Sequence, residues 1–139
     1  FTRERFFKGD RGGNSISTSL GFNLHSVWDW SLVKDSALPV IKRRMEIAER
    51  SDLYRVVGEV AAEDLSYTRW IDESHALAWD FVYHQDIIDH IAEQEKTPKE
   101  EFKPVRISPD YERVMEDIAL ERAYMAGYRL AAILKKMFS

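Results

Sequence analysis

Apolar residues recur at helical spacing through most of the chain, and the stretch that breaks this rhythm lies near its start. Leu24, Val27, Trp28, Ser31 and Leu32 fall on one side of a helix predicted over residues 24–34, which Asn23 is placed to cap. Ser36 can cap a second helix over residues 37–50, with Pro39 in its first turn and Val40, Ile41, Met45 and Ala48 as its apolar positions. Its run Lys42-Arg43-Arg44 reads as a solvated face. Helical patterning returns over residues 52–60 and 67–82. Trp70, Ala76, Leu77, Trp79 and Phe81 predict that the second of these is heavily buried and gathers the core. Residues 84–109 are polar, with 93–101 expected to form a loop tip or a frayed helix end. Ser108-Pro109-Asp110 then opens the longest helix, running to about Met137. Its expected buried stripe is Met115, Ala119, Ala123, Ala126, Leu130, Ile133 and Met137, and Ala126-Gly127 is thin enough for a crossing helix.

The exception is residues 14–20, where Ile16 and Thr18 alternate with polar positions between Gly12-Gly13 and Gly21. That pattern predicts a strand in a short β-hairpin. The expected fold is therefore mostly α, a helical bundle with a short hairpin near the N-terminus.

Composition narrows the function classes. A chain of 139 residues fits one domain or part of one, and its net charge of −4 supplies no broad basic field for nucleic acid. A polyanion would have to be held locally, for instance by metal ions. Without cysteine there is neither a disulfide framework nor a thiolate site, so histidine and carboxylate are the strong metal ligands at hand. No apolar run approaches the roughly 20 residues of a membrane span, and the chain as written reads as soluble. The opening Phe1-Thr2-Arg3-Glu4-Arg5-Phe6-Phe7 resembles mid-domain text, which suggests a longer parent.

The candidate chemistry lies in the glycine-rich segment and the helix after it. His25 and Asp29 are four residues apart, so one helix face can bring an imidazole nitrogen and a carboxylate oxygen to one ion. The same spacing also suits a simple hydrogen-bonded histidine. Gly12 and Gly13 allow backbone to approach a ligand closely, Asn14 offers a donor and an acceptor, and Trp28 and Trp30 can exclude water. His75, His84 and His90 repeat no such spacing with a carboxylate and are expected at the surface or at helix ends.

Asp10-Arg11-Gly12-Gly13-Asn14 followed by Asn23-Leu24-His25-Ser26-Val27-Trp28-Asp29 resembles the D-x-G-G-N and N-L-H-x-x-W-D motifs of the S1/P1 family of zinc-dependent nucleases. Trp70 with Glu73-Ser74, the region of Tyr83, and residues 126–131 resemble that family's later helices, so the likeness covers most of the chain. The resemblance implies a helical fold shared with zinc-dependent phospholipases C and a cluster of three zinc ions. It also implies hydrolysis of single-stranded RNA, single-stranded DNA and 3′-mononucleotides, with 5′-phosphate products from the nucleic acids. His25 and Asp29 correspond to two ligands of one zinc, and Gly12, Gly13 and Asn14 to a loop where substrate contacts are expected.

Clustered zinc would replace the missing basic groove, and an aromatic ring that stacks an unpaired base would favour single strands. The family's remaining ligands lie in an N-terminal half that these residues do not include. The segment is thus read as the C-terminal part of one domain, holding at most one partial zinc site and inactive alone. Secretion or residence in the secretory pathway or at the cell surface is implied by the resemblance only. Two rival readings are a phospholipase C-like phosphodiesterase and a non-catalytic helical interaction module with an incomplete metal site.

Overall fold

The computed structural model describes residues 9–32, 42–43, 45–46, 50–94, 96–97, 101 and 103–139. These divide into two compact units, the first formed by Phe1–Ser31 with Leu77–Met115 and the second by Leu32–Ala76 with Glu116–Ser139. The chain is mostly helical, as its apolar periodicity predicts.

In the first unit, helix α1 spans Leu24–Asp29, and the Asn23 side chain caps it by accepting from the Ser26 N–H at 2.7 Å. That bond satisfies one of the amides that a helix start leaves without a partner. Leu24 and Val27 bury one face, and Ser31 beyond the helix is also buried, as their spacing predicts. The helix is shorter than expected, since residues 30–32 form a turn; the rest of the predicted 24–34 span lies outside the described residues. So does most of the predicted helix over residues 37–50, Arg44 of its basic run included.

Of the expected hairpin there is one isolated antiparallel bridge, Ser17 with Asn23, without named strands, and beside it a parallel bridge of Thr18 with Val105. Locally the chain reverses through Thr18, whose N–H and hydroxyl both donate to the Phe22 carbonyl, at 2.9 and 2.7 Å. Val105 completes the pairing by donating to Ser17 O at 2.8 Å and accepting from Ser19 N at 2.7 Å. The alternating segment thus pairs on one side with residues 22–24 and on the other with Val105, far along the chain.

The polar region after His84 holds a helix that its charged residues concealed. The α-helix of Gln85–Gln94 buries Ile87 and Ile91, one turn apart. These join Ile16, Leu24, Val105 and Ile107 in the core of the unit, with Trp28, Val82, Tyr83 and Tyr111 packed against it. A five-residue π-helical turn, Ala78–Val82, leads towards this helix.

The second unit contains Asp52–Glu63 (α2) and all but the last residue of Tyr67–Leu77 (α3), so with Gln85–Gln94 as α4 the long helix Pro109–Phe138 is α5. Helix α5 starts where Ser108-Pro109-Asp110 predicts, with Ser108 Oγ accepting from Tyr111 N at 3.1 Å. From Glu116 onwards it belongs to the second unit.

Two burial expectations are corrected. The aromatic stretch over residues 67–82 is not the core: none of α3 is buried, and Trp79 is 64% exposed. Branched aliphatics meeting inside the first unit make its core, while Ile71, Trp79 and Phe81 stay at the surface. On α5 the buried residues are Met115, Tyr124 and Arg129, whereas Ala126, Leu130 and Met137 of the predicted stripe are exposed.

The close approach expected at Ala126-Gly127 occurs instead at Gly58 of α2. A Cβ there would lie 2.4 Å from Cδ2 of the Tyr128 ring, whereas one on Gly127 would meet nothing within 4 Å. Arg129 is buried with its charge paired. It donates to Ala61 O at 3.3 Å and to both oxygens of Glu73 at 2.7 and 2.9 Å, and lies 5.0 Å from the centre of the Trp70 ring.

Candidate metal-ligand pair and its glycine loop

The loop before α1 is held in shape by Asp10. Its Oδ2 accepts from the Gly13 N–H at 2.9 Å and from the Tyr83 hydroxyl, and its carbonyl accepts from Ser15 N at 3.0 Å. Burial and the adjacent Asp10 carboxylate push the Tyr83 phenol well above its ordinary range, so it stays a donor.

Between these anchors Arg11, Gly12 and Gly13 take positive φ values of 58, 64 and 86°. Gly13 is required there twice over, because a Cβ would also lie 3.0 Å from the His25 amide nitrogen. Gly13 is therefore buried beneath the first turn of α1, while Gly12 and Asn14 are exposed. Asn14 donates to Arg11 O at 2.9 Å and braces the same turn.

This geometry fixes the orientation of His25. Its Nδ1 lies 3.1 Å from the Gly12 carbonyl oxygen, which can only accept, so Nδ1 carries the proton. Nε2 then faces Asp29 Oδ2 at 3.2 Å. Two lone-pair atoms at that distance repel unless a proton or a cation stands between them. A tetrahedral zinc with bonds of about 2.0–2.1 Å separates its nitrogen and oxygen ligands by about 3.3 Å. The pair therefore fits one edge of a zinc site, with a backbone carbonyl orienting the imidazole from behind. Both side chains are about half exposed, at 48 and 63%, so an ion can reach them.

Trp28, one residue before Asp29, is half-buried. Its indole N–H donates to the Tyr111 hydroxyl at 2.8 Å, and that hydroxyl donates to Val82 O at 2.9 Å. Burial raises the Tyr111 phenol to about 12, which keeps this relay protonated. Trp30 is not a water-excluding wall but an exposed ring, stacked on Phe22 with centroids 6.5 Å apart.

The structure thus brings His25, Asp29 and Gly12 together and places Gly13 and Asn14 in the loop that supports them. Sequence reasoning left Asp10 and Tyr83 without a role. The aspartate was visible in its motif, but its tyrosine partner is 73 residues away. His75 and His84 are exposed and His90 meets the Lys103 carbonyl at 3.0 Å, so these three stand apart from the pair, as expected. Among the described residues no group of three or more His, Cys, Asp or Glu could hold a metal ion.

The described residues thus form a mostly helical chain in which a glycine loop aims one histidine at one carboxylate. The S1/P1 Nuclease family model matches residues 3–139, and the chain belongs to that family. Membership makes it a nuclease-type hydrolase, of a family that is generally zinc-dependent. No curated protein and no solved structure matches the chain. No helix among the described residues is long and apolar enough to cross a membrane.

Proposed function

We propose that the chain supplies the His25/Asp29 edge of a zinc site in a nuclease that hydrolyses single-stranded RNA and DNA and 3′-mononucleotides, releasing 5′-phosphate products from the nucleic acids. The observation that carries this reading is the 3.2 Å approach of Nε2 to Oδ2, with Nδ1 committed to Gly12. Zinc, when bound, would acidify a water and offset charge on the phosphate. His25 and Asp29 would hold one ion. Gly12 would orient the imidazole, and Asp10 and Tyr83 would keep the loop from opening.

Two ligands cannot hold a cluster of three zinc ions, so the remaining ligands would come from an upstream half of the same domain. In this reading the chain is the C-terminal part of that domain, and the enzyme acts in the secretory pathway, at the cell surface or outside the cell. Phe22 and Trp30 support the preference for single strands, since an exposed ring close in sequence to a metal ligand can stack an unpaired base and a duplex offers none. Gly12 and Asn14, exposed on the loop, are the positions for substrate contact.

The test is hydrolysis of single-stranded RNA with zinc, by the 139-residue chain alone and by the complete domain. The expected result is negligible turnover by the chain and robust, chelator-sensitive turnover by the domain. Efficient zinc-dependent hydrolysis by the chain alone would overturn the need for upstream ligands. Full activity of a His25→Ala domain would overturn the role of the pair.

A further inference from the structure

The first unit contains a pocket of about 510 Å³ that the reading above leaves unused. This lies within the roughly 300–1,000 Å³ of small-molecule sites. Trp28, Phe81 and Tyr111 give it aromatic surface, and Asp80 and Arg106 also line it.

Most of its charged groups are already occupied. His84 Nδ1 lies 3.5 Å from Asp86 Oδ2, and Arg113 lies 3.2 Å from Asp110 Oδ1. Asp80 and Arg106 differ, for among the described residues neither side chain has a hydrogen bond or an ion pair. Among the described residues the pocket therefore offers one unpaired carboxylate, one unpaired guanidinium and aromatic surface.

Asp80 and Phe81 both project from the π-helical turn Ala78–Val82. Such turns are uncommon and gather at functional positions, because the widened backbone presents side chains that a regular helix would turn away. The Val82 carbonyl is fixed by the Tyr111 hydroxyl, which steadies the turn.

We propose that this pocket is a nucleotide subsite with a preference for guanine, the base lying on Phe81 with its N–H edge on Asp80, and the phosphate on Arg106. The proposal rests on the nuclease reading for the class of ligand. Guanine is the base that presents two adjacent donors, the ring N–H and the exocyclic amine, to the two acceptors of one carboxylate. Adenine and cytosine offer one donor beside an acceptor, and uracil sets its N–H between two oxygens that repel the carboxylate. Arg106 takes the phosphate through its planar, multi-donor guanidinium.

The test is calorimetric titration of the chain, in EDTA, with guanosine 5′-monophosphate, the adenosine, cytidine and uridine analogues, and guanosine. The guanine nucleotide is expected to bind at least about tenfold more tightly than the adenine one, a difference of about 1.4 kcal/mol. Asp80→Asn should remove that preference. Arg106→Ala should weaken the nucleotide and leave guanosine unchanged. Both side chains are exposed, so both variants keep the fold.

Absence of binding, equal binding of all four nucleotides, or a guanine preference that survives Asp80→Asn would overturn the proposal. Chelation removes zinc and hydrolysis from the readout. A failure here leaves the His25/Asp29 reading standing, and a failure of that reading leaves a positive titration intact.

Discussion

His25 and Asp29 face each other across one turn of α1, Nε2 to Oδ2 at 3.2 Å, with the other imidazole nitrogen already committed to the Gly12 carbonyl. A histidine that merely caps or pairs needs only one of these contacts. Together they leave a single lone pair aimed at a carboxylate, an arrangement that a proton or a cation completes.

The first prediction concerns that pair in the complete domain. Asp29→Asn and His25→Ala should each lower zinc affinity at the site they share by about 100-fold or more, since each removes a direct ligand and orienting partners alone are worth 10–100-fold. Competition against a chromophoric chelator measures this. Unchanged affinity in both variants would mean that the two side chains form a hydrogen-bonded pair and nothing more.

The loop makes a second prediction, in the form of a ranking. Gly12→Ala and Gly13→Ala both place a Cβ at positive φ, costing about 1–2 kcal/mol. Gly13→Ala must also push its Cβ away from the His25 amide nitrogen at 3.0 Å. It should therefore cost about 1–3 kcal/mol more, as overpacking does. Urea unfolding of both variants checks the order, and a Gly12 variant as damaged as Gly13 would contradict it.

A third prediction follows from Glu73. Its hydrogen bonds from Arg129, then from Arg122, lower its pKa from 4.5 to about 2 against the opposing effect of burial. A depressed carboxylate contributes stability that is fully present above the unfolded-state value of about 4.5 and is lost as pH falls towards about 2. Glu73→Gln should flatten the acid limb of the stability curve over that window. It should also cost about 3–5 kcal/mol near neutrality, because Arg129, 6% exposed, would keep its charge without its partner. Thermal melts of both proteins from pH 7 down to pH 2 test both parts.

The Trp28–Tyr111–Val82 relay supplies a fourth. Tyr111→Phe keeps the ring but strands the indole N–H and the Val82 carbonyl, each previously paired within 3 Å. A loss of about 1–3 kcal/mol is expected, measured by chemical denaturation. A neutral outcome would show that water replaces the hydroxyl at both partners.

Part of the candidate site is written in short-range sequence. Asn23 caps α1 through an amide three residues on, Ser108 starts α5 in the same way, and His25 and Asp29 meet because a helix returns to the same face every four residues. The glycines of the loop are likewise local, since Gly12 and Gly13 hold backbone angles that side chains resist. Each of these rests on contacts within a few residues, where geometry leaves few alternatives.

What tertiary structure alone decided are the partners. Thr18 pairs with Val105 as well as with its neighbouring arm, Asp10 is met by Tyr83, and Gly58 gives way to Tyr128 where Ala126-Gly127 had been expected to let a helix cross. Helical periodicity predicts that one face of a segment will be covered, not how completely. Ile87 and Ile91 are enclosed within a charged stretch, while Trp79 on an aromatic one stays in solvent. Burial is a property of what packs against a face, and that is settled by residues far away in the chain.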